Sequence, residues 1–262
     1  MSLATRIRRV RNVLDTRGVA GIRGALLSRV ALRPSLLAEP YDYVQADVVH
    51  RLAAYLRVPP DRVGLVIMVG AHLGHEVRTL ARAYPRCRFV LFEASRRYAD
   101  ALEARFAGEP RVRVEKVAVA DAPGEIEFHE TSLEGSGSIQ ALGELAKRSF
   151  GATEAERFTV PAVTLDGYLE GSEHAGAPID CLWIDVQGAE LRVLDGASEA
   201  LGRARSAFVE VSLHEPLYEG GALYADIAER LAGEGLVLAG AGTDPGNGTG
   251  NAFFLRSPVD GA

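Results

Sequence analysis

The chain has 262 residues, 47% hydrophobic and 24% charged, a balance that suits a soluble globular protein able to bury a sizeable core. Its formal net charge of −6 argues against general nucleic-acid binding, and it has no apolar run long enough to span a membrane. Cys87 and Cys181 sit in apolar, strand-like runs, so two reduced thiols are expected rather than a disulfide or a metal site. Arg23 and Arg29 interrupt the candidate leader stretch, and a cytoplasmic protein is expected.

In the first forty residues Arg6, Arg8, Arg9, Arg11, Arg17, Arg23, Arg29 and Arg33 stand against two acids, Asp15 and Glu39. Ile7, Val10, Val13 and Leu14, and then Ile22, Leu26, Leu27 and Val30, recur at helical spacing, which predicts two short amphipathic helices broken near Gly18 and Gly21. Such an arm is either a solvated extension or a basic surface for a protein partner or an anionic membrane. Pro34 and Pro40 mark its exit. Tyr41–Leu56 predicts a helix with Val44, Val48, Leu52 and Tyr55 on one stripe, ended by Pro59-Pro60-Asp61. Residues 1–60 are therefore expected to form an N-terminal helical extension, and residues 61–262 the main domain.

Leu65–Gly74 reads strand, glycine turn, helix start. A continuous apolar run ends at Gly70, Gly74 follows, and Val77, Leu80, Ala81 and Tyr84 continue at helical spacing. The run suits a parallel strand buried on both faces. Glycine in the turn admits a ligand close to the backbone, and the free N–H groups of the next helix attract a polar or anionic group. Arg88–Ala94 is a second buried strand, and Glu93 at its end lies 23 residues after Gly70. An acid about 20 residues past a glycine turn is placed to accept hydrogen bonds from ribose hydroxyls. The plainer alternative is an ordinary strand–helix turn with Glu93 solvated.

Further along, Ser95 caps a helix through Phe106, Arg111–Ala120 reads as a third strand, and Asp121-Ala-Pro-Gly124 is a turn. Glu125–Glu130 alternates as a hairpin strand, Thr131–Ser138 reads as a mobile Gly/Ser loop, Ile139–Phe150 as a helix, and Phe158–Leu169 as a short strand and turn. Ile179–Val186 is another buried strand. Asp185 lies near its end, where a carboxylate is costly unless partnered, so it is either a turn or capping residue or a contact for cofactor, metal or substrate. Ala207–Leu213 is a fifth strand carrying Glu210, with His214 just beyond it. Leu223–Leu231 is a helix, and Leu236–Ala239 and Asn251–Arg256 close the chain as a hairpin across Gly240–Gly250. Repeated strand–helix units predict a doubly wound α/β sheet whose ligand sits outside the carboxyl ends of the strands.

Val69–Gly74, Phe92–Ala94, Ala120–Gly124, Val160–Asp166, Ile184–Glu190 and Glu210–Leu213 follow in an order that resembles the FkbM family of S-adenosylmethionine-dependent methyltransferases. The resemblance runs from about Val63 to Arg256 and is most specific at Ile184–Ala197. It implies a seven-stranded Rossmann-like sheet with an antiparallel last strand, and O-methylation of a hydroxyl in glycan, glycolipid or natural-product biosynthesis. It implies that Gly70, Ala71 and Gly74 lie against the methionine part of the cofactor, with His72 also among the cofactor-binding residues, Glu93 on the ribose, Asp121 near adenine and Asp185 near the methionine end or the transferred methyl. Four positions depart from the family pattern: Met68 stands where an acid is usual, His72 where Asn is common, Trp183 where Lys is frequent and Gln187 where Glu is frequent.

Methyl transfer to a hydroxyl needs alignment, exclusion of water and a base. His214 is the first candidate base, then Asp185 and Glu210; a divalent metal held by such acids is an alternative, though the spacing establishes no metal site. A nicotinamide-dependent oxidoreductase would use a similar pocket, but Gly70 and Gly74 do not form a Gly-x-Gly-x-x-Gly turn. A non-catalytic binding protein with the same fold is the other alternative.

Overall fold

The structure is a computed structural model, and it describes residues 41–244, 246 and 248–257. The arginine-rich segment and its two expected helices lie outside the described residues. In chain order the elements are α1 (Tyr41–Tyr55), β1 (Leu65–Val69), α2 (His75–Ala83), β2 (Arg88–Phe92), α3 (Arg96–Phe106), β3 (Val112–Glu115), β4 (Ala118–Val119), β5 (Gly124–Thr131) and α4 (Glu144–Phe150). They continue with β6 (Glu154–Val163), α5 (Leu165–Glu170), β7 (Cys181–Ile184), α6 (Glu190–Asp195), α7 (Ser198–Arg203), β8 (Ser206–Ser212), α8 (Tyr224–Gly233), β9 (Leu236–Thr243) and β10 (Thr249–Arg256).

Seven strands form one sheet in the order β3-β2-β1-β7-β8-β10-β9. Its first five strands are parallel, and β10 runs antiparallel to both β8 and β9. This is the doubly wound methyltransferase-type sheet expected from the sequence. Alternate side chains of each strand enter two separate cores. Val66, Met68, Leu91, Trp183, Phe208 and Phe253 pack with α1, α2 and α3; Ile67, Val69, Val90, Ile184, Val209 and Phe254 pack with α5, α6, α7 and α8. The expected strand Leu65–Val69 is buried throughout for this reason. The helix Tyr41–Tyr55 contributes Val48, Val49, Leu52 and Tyr55 to the first core. Among the described residues, no helix is long and apolar enough to cross a membrane.

The structure corrects several local expectations. Arg111–Ala120 is not one strand: β3 ends at Glu115, and Ala118–Val119 leaves for a second, three-stranded sheet in the order β4-β6-β5. The segment read as starting at Phe158 extends from Glu154, because its exposed charged residues pair against β5 rather than against the core. The turn after it is helix α5, capped by Thr164, whose Oγ1 accepts the Gly167 N–H at 3.1 Å. Ile139–Gly143 is not helical; Leu142 instead bridges to Tyr218. After Gly188 the chain forms two short helices, α6 and α7, separated at Gly196 and Ala197.

Candidate active site

At the β1/β7 boundary the strand order reverses, and the carboxyl ends of the strands there open onto a cavity of about 880 Å³. The glycine turn forms its floor. Gly70 and Ala71 donate their N–H groups to the Phe92 carbonyl at 3.0 and 3.1 Å, holding the turn on the end of β2. A Cβ on Gly70, at φ 81°, would lie 1.8 Å from the Asp185 carbonyl oxygen; one on Gly74, at φ 62°, would lie 2.8 Å from Leu102 and Phe106. Both glycines are thus required by close packing within the protein, the first against the end of β7 and the second against α3. The sequence pattern had assigned that space to a ligand.

Glu93 is buried at the cavity wall. Its carboxylate accepts the His72 N–H at 2.7 Å and the Ser95 N–H at 2.8 Å. Burial pushes its pKa up to about 7, against the downward pull of the backbone donors. His72 has the left-handed backbone, φ 47°, and packs edge-on against Tyr98 with ring centroids 4.2 Å apart. Its Nε2 is buried without a hydrogen-bond partner among the described residues, and burial lowers its pKa, keeping the ring neutral.

On the other side of the turn, Asp185 and Glu210 line the cavity at the ends of β7 and β8. Their carboxyls are neighbours, each shifting the titration of the other. Gln187 Nε2 donates to Asp185 Oδ1 at 2.7 Å and to Glu210 Oε2 at 2.7 Å. Gln187 Oε1 lies 3.0 Å from the Tyr218 hydroxyl, which is also 2.6 Å from the Ser136 carbonyl. Burial raises Asp185 above the usual carboxylate range. Burial and the neighbouring Asp185 charge raise Glu210 well above it, so the two acids titrate as a pair. Glu190 lies close behind; its Oε1 accepts the Val186 and Gly188 N–H groups, both at 3.1 Å, and burial raises it to about 7.

The cavity therefore brings together Gly70, His72, Glu93, Asp185 and Glu210. Ala71 and Gly74 lie in the turn beneath it but outside its lining. Asp121 is tied to Arg192 at 2.6 Å, also outside the lining. His214 is exposed and sits beside Gly248, where a Cβ on that glycine would meet the His214 Cδ2 at 3.2 Å; it does not line the cavity. Gln187 and Tyr218 were missed by sequence reasoning as site residues. The signal for Gln187 lay in the motif Ile184–Glu190; Tyr218 had none. The loop read as mobile is tied across the cavity: Gly135 N–H reaches the Tyr98 hydroxyl at 3.2 Å, and Ser138 Oγ reaches the Val186 carbonyl at 3.3 Å. Among the described residues no group of three or more His, Cys, Asp or Glu side chains is placed to hold a metal ion.

Met68, where the family pattern has an acid, and Trp183, where it has Lys, are partners in register on adjacent strands. Both are buried in the first core, and Trp183 stacks on Phe208 with centroids 3.8 Å apart. The two departures therefore face each other across the β1/β7 boundary as an apolar pair.

Among known proteins, the FkbM methyltransferase domain matches residues 69–237 of the chain. The 2-O-methyltransferase NoeI of Sinorhizobium fredii is 32% identical over 181 residues, covering 66% of this chain and 72% of the relative. Among solved structures, magnesium protoporphyrin IX methyltransferase from Synechocystis, with bound S-adenosylmethionine, superposes with a TM-score of 0.46 at 14% identity, covering 98% of this chain and 99% of the other. The N-methyltransferase NodS of Bradyrhizobium japonicum gives 0.44 at 9% identity, covering 84% and 99%.

Proposed function

The chain belongs to the FkbM methyltransferase family, and on that premise we propose that it O-methylates a hydroxyl of a sugar, glycan or natural-product acceptor with S-adenosylmethionine as methyl donor. The observation that carries this reading is the convergence of Glu93 and the Asp185–Glu210 pair on one cavity. The residues fit the cofactor: a buried carboxylate suits the ribose hydroxyls, and the unpartnered His72 Nε2 offers a polar contact at the same wall. When bound, the cofactor supplies a methyl already activated on a sulfonium, whose loss leaves the bonding pair on sulfur.

The roles of the chain's own residues follow. Glu93 holds the ribose. Gly70, Ala71, His72 and Gly74 shape the floor beneath the methionine part, and Asp121 lies at the adenine side. Asp185, with Glu210 beside it, would accept the proton of the acceptor hydroxyl as that oxygen takes the methyl group. We assign the base to this pair in preference to His214, because a base must come within about 3 Å of the proton it removes and the pair is the one inside the cavity. Residues 61–262 make up the catalytic domain. Residues 1–60 are an extension whose α1 is seated on the sheet and whose arginines offer a surface for a protein or an anionic membrane. A cytoplasmic location suits the two buried thiols.

The test is calorimetric titration with S-adenosylmethionine and S-adenosylhomocysteine, with NAD as control. Micromolar binding of the first two alone is expected. Absence of binding by either to a cooperatively melting protein would overturn the proposal.

A further inference from the structure

The cavity volume lies near the upper end of the roughly 300–1,000 Å³ typical of small-molecule sites, and its walls differ in chemistry. Beside Glu93 the lining includes Val117, Val119 and Phe128, an apolar surface suited to a purine. A second apolar wall, joined to Phe128 through Ile139, is built by the insert that follows β5: Leu133, Leu142, Ala146 and Phe150, with Leu217. The charge within this insert wall, Glu134, points back toward the glycine turn, 4.0 Å from His72 Nε2.

Leu133 is 37% exposed and Phe150 is 45% exposed, and these are the large hydrophobic side chains left exposed among the described residues. Both lie on this cavity. Apolar surface left open at a cavity is a ligand contact more often than a packing fault. Here the backbone holds it open. The loop carrying Leu133 is tied by Gly135 to Tyr98 and by Ser136 to Tyr218. The helix carrying Phe150 is anchored by Leu142, Ala146 and Ala152 packed on Tyr218. Tyr218 also touches Gln187, so the insert wall and the carboxyl pair share one support.

We infer that the insert wall is a subsite for an apolar substituent of the acceptor, an alkyl or acyl chain. The acceptor is then an amphiphile: its hydroxyl reaches Asp185 while its chain lies along Leu142, Ala146 and Phe150 under Leu133. A purely polar acceptor would leave this wall wet and would gain nothing from it. The inference rests on the methyltransferase reading of the cavity.

The experiment uses the full chain saturated with S-adenosylhomocysteine, titrated calorimetrically with hexyl, octyl and decyl β-D-glucoside below their micellar concentrations. Affinity is expected to tighten about two- to fourfold per added methylene, as chain burial requires. The double variant Leu133→Ser, Phe150→Ser should flatten that dependence and leave affinity for S-adenosylhomocysteine unchanged. Chain-length-independent binding by the unaltered protein would overturn the inference; so would an undiminished dependence in the double variant. Failure of S-adenosylhomocysteine itself to bind would remove the methyltransferase reading first, which separates the two failures.

Discussion

Asp185 and Glu210 are joined by Gln187 Nε2, which lies 2.7 Å from each carboxyl. They meet because β7 and β8 are parallel neighbours in which Ile184 pairs with Val209, so the next residue of each strand carries an acid at the same height. The amide has two hydrogens and donates one to each acid. Removing it leaves the anion less well solvated and raises the pKa of the pair. Gln187→Ala should therefore move the acidic limb of the kcat/KM profile to higher pH by about one unit, with activity recovered on the alkaline side. A uniform loss at every pH would mean that Gln187 has only a structural role.

Asp185→Asn and His214→Ala separate the candidate bases. Loss of a positioned base costs about 100-fold or more in turnover, and that loss is expected for Asp185→Asn with cofactor binding kept. An exposed side chain outside the cavity should be replaceable within about twofold, which is the expectation for His214→Ala. Steady-state kinetics on the two variants decides between them, and the reverse pattern would restore His214 as the base.

Glu93 is buried at the cavity wall, and its protonation bears on stability. Glu93→Gln should weaken S-adenosylhomocysteine binding about 10- to 100-fold, the worth of a hydrogen bond or two to a charged acceptor. Its pKa is raised from 4.5 to about 7 in the folded chain. A carboxyl raised in this way favours the folded state fully below pH 4.5, and that contribution is lost as pH rises through about 7. The ligand-free protein should therefore lose on the order of 3 kcal/mol across that window from this group. Urea melts of Glu93→Gln should show a correspondingly flatter pH dependence.

Met68 and Trp183 should be interchangeable with charged residues only as a pair. Met68→Asp alone places an unpartnered carboxylate in the first core and should cost about 3–5 kcal/mol. Adding Trp183→Lys should recover part of that loss, since the two positions are in register. Urea denaturation of the single and double variants measures the coupling; a single variant as stable as the parent would show that the carboxylate escapes the core.

Much of this protein could be read from its sequence. Continuous apolar runs at Leu65–Val69 and Cys181–Ile184 suit strands buried on both faces, and Glu93, Asp185 and Glu210 stand out because acids are costly in such runs. What periodicity could not reveal was which neighbour satisfies each residue. Gly70 turned out to make room for the Asp185 carbonyl, and Met68 to answer Trp183 across a strand boundary. Gln187 became the bridge between two acids because its left-handed backbone, φ 57°, turns the amide back over the strand ends. Burial costs are local and are written along the chain. Partnerships between β1, β7 and β8, and between the insert and Tyr218, depend on register and crossover, and those were decided only when the sheet assembled.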